Sequence, residues 1–122
     1  MDSEKFEGLV ARAIDGLPEE FRERLENIDV VVADEPTRAQ LRVLGGRRGE
    51  TLLGLYEGVP LTRRTHGYGF VMPDKVTIFK KPIEAICKND GQIIAEVKRV
   101  VQHEIAHHFG ISDDRLRQLG RD

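Results

Sequence analysis

The chain has a single cysteine, Cys87, so no intramolecular disulfide can form and packing must hold the fold together. A thiolate nucleophile there would need a nearby base, and the sequence neighbours of Cys87 offer none. It reads as a small buried apolar residue. Long hydrophobic runs are missing too. No stretch approaches the roughly 20 apolar residues of a membrane span. Met1-Asp2-Ser3-Glu4-Lys5 carries no hydrophobic signal region. The expectations are therefore no membrane partner and a cytoplasmic location. An excess of one charge is also absent, since 19 Lys and Arg stand against 21 Asp and Glu for a net charge of -2. That balance speaks against nucleic acid as the main partner. The pairs Arg47-Arg48, Arg63-Arg64 and Lys80-Lys81 read as solvated surface. With 33% charged and 39% hydrophobic residues, the composition is that of a globular protein. Its 122 residues suit one domain spanning 1–122.

Apolar residues at helical spacing, from Phe6 through Leu9, Val10, Ala13 and Ile14, predict a helix from Ser3 to about Gly16, with Ser3 as its cap. Pro18 opens a second short helix, Glu19 to Leu25. The β-branched run Ile28 to Ala33 reads as a strand, and Thr37 to Leu44 as a helix before the loop Gly45 to Gly49. Leu52 to Tyr56 is the second expected strand. Val59 to Pro73, with its prolines and glycines, reads as an irregular excursion. Lys75 to Lys80 is the third strand, and its charged ends and the following Pro82 suggest an edge position. An extended peptide could add to the sheet there. Ile83 to Cys87 forms a helical turn. A long helix then starts near Asn89-Asp90, with Gln92 in a capping-box-like position. Its stripe Ile93, Ile94, Val97, Val100, Val101 and Ile105 should be the central core contact. A terminal helix is expected over Asp113 to Leu119. Three strands among four or five helices, without strict βαβ alternation, make an α+β domain.

The chemistry is concentrated near the C-terminus, in His103-Glu104-Ile105-Ala106-His107-His108-Phe109-Gly110-Ile111-Ser112-Asp113. This spacing, H-E-x-x-H-x-x-G-x-x-D, extends the helical zinc-site motif. His103 and His107, four residues apart, share one helix face and can converge on one ion. Glu104 lies roughly 100° further round, in reach of a metal-bound water without being a ligand. Gly110 can adopt a left-handed conformation and turn the chain back, bringing Asp113 as a third ligand, with Asp114 as the alternative. Two His and one carboxylate leave a tetrahedral zinc its fourth position for water, which marks a catalytic site. The same donors accept Fe, Co or Ni, and zinc is the expectation for hydrolysis. His108 projects to another side, and Glu96 reads as a surface residue or a support for a ligand imidazole. A second electrophile would come from Tyr68, Tyr56 or His66, although Tyr56 reads as core and His66 as a loop residue.

Three stretches carry a family resemblance: Leu52-Leu53-Gly54-Leu55-Tyr56-Glu57-Gly58-Val59-Pro60-Leu61-Thr62, Pro73-Asp74-Lys75-Val76-Thr77-Ile78-Phe79, and His103 to Gly110. Together they resemble the small bacterial zincin-like metallopeptidases, a minimal, matrix-metalloprotease-like family. The resemblance implies a zincin-type α+β fold, with a short mixed sheet of about three strands packed on an active-site helix. It also implies a zinc-dependent peptidase acting on a peptide or flexible protein substrate. The extended motif is similar to that of the metzincins, with Asp113 where many of them have a third His. Their methionine turn is not matched, because no methionine follows Asp113 and Met72 precedes the motif. Two alternatives accompany the peptidase: a metal-stabilised protein-binding module, and hydrolysis of a non-peptide amide or ester.

Overall fold

The computed structural model describes residues 1–44, 52–58 and 73–110. Helix α1 (Ser3–Asp15) is capped by Asp2 rather than Ser3, because the Asp2 carboxylate accepts the Lys5 N–H at 2.7 Å. Helix α2 (Glu19–Arg24) follows Pro18 and tightens into a 3₁₀ turn over Leu25–Asn27. Strand β1 (Ile28–Ala33) is the expected β-branched run. Helix α3 (Arg38–Leu44) starts from a reciprocal cap that sequence analysis did not identify. Thr37 Oγ1 accepts the Gln40 N–H at 3.1 Å, and Gln40 Oε1 accepts the Thr37 N–H at 2.8 Å. Strand β2 (Gly54–Glu57) begins two residues later than expected, and strand β3 (Asp74–Phe79) one residue earlier. Helix α4 (Lys80–Ile86) grows directly out of β3. Helix α5 (Asp90–Phe109) is the longest element, with 20 residues. The loop 45–49, most of the excursion 59–73 and the expected helix over 113–119 lie outside the described residues.

The sheet is mixed and runs in the order β1-β3-β2. β1 pairs parallel with β3, placing Ile28 beside Asp74 and Ala33 beside Phe79. β2 pairs antiparallel with β3, placing Tyr56 beside Val76 and Gly54 beside Ile78. The expectation that the third strand sits at an edge is therefore wrong. β3 is central because both its faces are apolar. Val76 and Ile78 enter the main core fully buried, while Thr77 and Phe79 are buried on the opposite face. Lys80, taken for an edge charge, is instead the first residue of α4 and pairs with Glu84 Oε1 at 3.3 Å. Pro82 falls in the first helical turn, where a missing N–H costs nothing.

One face of the sheet carries the main core, which α1, α2, α4 and α5 close with Phe6, Phe21, Ile83, Val97, Val101 and Ile105. A smaller cluster of Leu52, Leu55 and Phe79 occupies the other face. The α5 stripe reads as expected, with Ile93, Val97, Val100, Val101 and Ile105 buried and Ile94 packed at the margin. Its N-cap Asn89 accepts the Gln92 N–H at 2.9 Å. The Gln92 side chain reaches one residue further back than a capping box requires, accepting from the Lys88 N–H at 2.7 Å. Among the described residues no helix is long and apolar enough to cross a membrane.

Candidate metal centre

The last two turns of α5 carry the motif. Ile105 and Ala106 are buried, which fixes the helix rotation. His103 and His107 are thereby turned outward, both exposed, and Glu104 lies half-buried towards β2. The two imidazoles stand with ring centroids 5.3 Å apart and planes tilted by 42°. Rings bonded through one nitrogen each to a single tetrahedral zinc, at roughly 2.0–2.1 Å, have centroids about 5 Å apart. The ring separation matches that of two imidazoles sharing one ion. Gly110 ends α5 in the left-handed conformation, φ 69° and ψ 29°, with its N–H donating to Ala106 O. Asp113 and Asp114, the two candidates for third ligand, lie outside the described residues, as do Tyr68, His66 and Met72. Among the described residues no three His, Cys, Asp or Glu side chains converge into a complete ligand set.

Glu104 is held from the sheet. The Tyr56 N–H donates to Glu104 Oε1 at 2.9 Å. Among the described residues β2 has β3 on one side only, and the Leu53 carbonyl accepts from the Phe79 N–H on that side. Residue 56 lies at odd separation from Leu53, so its N–H points away from β3 and towards α5. Tyr56 itself is half-buried, packs against the main core as expected, and is tethered as well. Its hydroxyl donates to Asp74 Oδ2 at 2.6 Å. Its ring stacks on the His108 imidazole, 3.9 Å between centroids and 17° between planes. His108 meets Phe109 edge-on at 4.9 Å, and the Arg24 guanidinium lies 4.7 Å over the Phe109 ring. His108 thus joins the helix end to the sheet, and the Tyr56 hydroxyl is engaged by Asp74.

Two other candidates fall away from the centre. Glu96 accepts from Arg99 Nε at 3.0 Å. Cys87 is half-buried and precedes α5, so about 20 Å of helix separates it from His103. Burial, and secondarily the Glu96 carboxylate, pushes its thiol pKa up, which opposes thiolate chemistry. The place of Asp74 at the site was not foreseen, nor was the tethering of Tyr56. A signal for both existed, since they sit inside the two family-like stretches that precede the motif.

A sequence profile of the zincin-like metallopeptidases matches residues 25–121, which includes the sheet, α5 and the whole motif. The chain belongs to the zincin-like metallopeptidase family. Among solved structures, a conserved hypothetical protein from Thermo thermophilus has a TM-score of 0.53 at 22% identity. The match covers 99% of this chain and 100% of that one, and the likeness is one of fold. No curated protein sequence matches the chain. Within this zincin-like family, a three-stranded mixed sheet packed on a histidine-bearing helix is the expected α+β architecture, and it is the one observed.

Proposed function

We propose that this zincin-like protein is a zinc-dependent peptidase, with His103, His107 and Asp113 as ligands and Glu104 as general base. The observation that carries the reading is a single constellation on α5: two outward imidazoles at one-ion spacing, with a fixed carboxylate beside them. Zinc, if bound there, would supply a water of pKa about 7 and an electrophile for the scissile carbonyl. Glu104 would serve as the base that takes up a proton and passes it to the leaving amine. Its Oε1 is engaged by the Tyr56 amide, so Oε2 is the oxygen assigned to the proton. A purely structural metal site has no need of such a base. The substrate class we assign is a peptide or flexible protein segment held in extended form. Among the described residues β3 has both sides paired, so it offers such a segment no free edge.

The first test is the metal content of protein purified without added metal or chelator, beside His107→Ala. About one zinc per chain, lost in the variant, supports the ligand set. Peptide pools incubated with the zinc protein and with Glu104→Gln then test the chemistry. Cleavage that disappears in Glu104→Gln while zinc stays bound supports the base. Retained cleavage in that variant overturns the mechanism. Bound zinc with no cleavage of any pool member favours a metal-stabilised protein-binding module.

A further inference from the structure

An amide on the open side of an edge strand has no strand partner and would ordinarily be left to water. At Tyr56 the partner is a carboxylate rising from α5, a charge-assisted bond stronger than a neutral one. The Tyr56 side chain is fixed at two further points, through the Asp74 carboxylate at 2.6 Å and the His108 ring at 3.9 Å. A tyrosine pinned by hydroxyl and ring face retains little freedom in either side-chain torsion, and the β2–β3 ladder sets the direction of its peptide N–H. We infer that Tyr56 is a positioning residue for Glu104: its peptide N–H fixes one carboxylate oxygen, and Asp74 and His108 fix Tyr56. The functional meaning of this contact rests on the reading of Glu104 as general base.

The arrangement solves a problem that the motif alone leaves open. Glu104 has three rotatable side-chain bonds and stands on a helix face between core and solvent. A general base must lie within hydrogen-bond reach of its proton. Anchoring Oε1 to the sheet removes most of the competing conformations and leaves Oε2 free of that contact. His108 adds a second link. It follows His107 in the chain, so the stack on Tyr56 also ties the turn that bears one proposed ligand to β2.

Amide hydrogen exchange, read residue by residue by NMR, tests this without requiring turnover. In Glu104→Ala the Tyr56 amide should exchange about tenfold faster, as expected for loss of one hydrogen bond. Amides bonded to β3 should hold their rates. Glu104→Gln, which keeps an accepting oxygen, should retain protection. Tyr56→Phe and Asp74→Asn should each speed exchange of the amide at position 56 several-fold relative to Val76 and Ile78, with zinc uptake from added zinc unchanged. Any peptide cleavage should lose kcat in these variants without a rise in KM. An unchanged Tyr56 rate in Glu104→Ala overturns the contact. Rates at position 56 that move only in step with Val76 and Ile78 in both side-chain variants overturn the positioning role. A zinc-loaded protein that cleaves nothing removes the peptidase reading and leaves the exchange result standing.

Discussion

Gly54 on β2 and Val100 on α5 approach so closely that a single added carbon has no room. A Cβ built on Gly54 would fall inside the van der Waals envelope of Val100 Cγ1 and lie 3.2 Å from the Thr77 carbonyl oxygen. The absence of a side chain lets helix and sheet edge meet, and Tyr56 and Glu104 touch only one turn further along. Gly54→Ala should cost about 1–3 kcal/mol by overpacking, and chemical denaturation should show it as a lower midpoint. Exchange of the Tyr56 amide should accelerate in the same variant.

Gly110 makes a different demand. With φ at 69° and, among the described residues, nothing within 4 Å of where a methyl group would stand, its requirement is one of backbone conformation. Gly110→Ala should destabilise by about 1 kcal/mol and Gly110→Asn by less, since Asn tolerates the left-handed region. Thermal unfolding of the metal-free proteins would rank them. An alanine variant as stable as the parent would mean that the helix end is not built this way in solution.

Thr77 predicts a gain. It is 3% exposed, and its hydroxyl has no hydrogen-bond partner among the described residues. Thr77→Val keeps the β-branched shape and removes an unsatisfied polar atom, so stability should be unchanged or rise by up to about 1 kcal/mol. Urea denaturation decides; a loss of comparable size would reveal a partner for the hydroxyl.

Glu84 supplies a pH dependence. Burial alone would raise its carboxyl pKa, but hydrogen bonds and charge from Lys80 and the Met1 amino group outweigh it and hold the value below the ordinary carboxylate level. A depressed folded pKa gives stability that is fully present above the unfolded value of about 4.3 and is lost as pH falls through the folded one. The pair is partly solvated, so the effect should be about 0.5 kcal/mol or less. Glu84→Gln should flatten that part of the stability–pH curve below about pH 4.3 and leave its slope at neutral pH unaltered.

Cys87 should be slow to react. With its thiol pKa raised by burial and by Glu96, alkylation at about pH 7.5 should run at least about tenfold slower in the folded protein than in denaturant. Mass spectrometry after timed quenching gives both rates. Equal rates would place the thiol in open solvent.

The helices and the histidine pair were legible because their signals are local. Ile93 to Ile105 recur at helical spacing, and His103 and His107 share a face on any helix that contains them. Gly110 ends its helix for a reason visible in one residue. Sheet order was not legible, because it depends on what covers each face of β3. Thr77 carries a polar side chain, yet it is buried on β3 between Val31 and Leu55 in the neighbouring strands. The Tyr56 to Asp74 bond joins residues 18 apart through a strand register that no local pattern encodes. Knowledge of that register would also have removed β3 as an expected peptide edge.

The order β1-β3-β2 has a consequence for how the chain acquires its structure during synthesis. β1 and β2 share no hydrogen bonds, so the two strands made first have no sheet to join until residues 74–79 arrive between them. A nascent chain halted at residue 73 would expose two orphan strands, and the helix that covers them would be unmade. Residues 74–109 therefore complete the sheet and cover it in one stroke. Such late, non-local closure slows folding and favours an all-or-none transition over a stable half. A fragment 1–73 should accordingly be unfolded alone and gain structure only when 74–122 is supplied beside it.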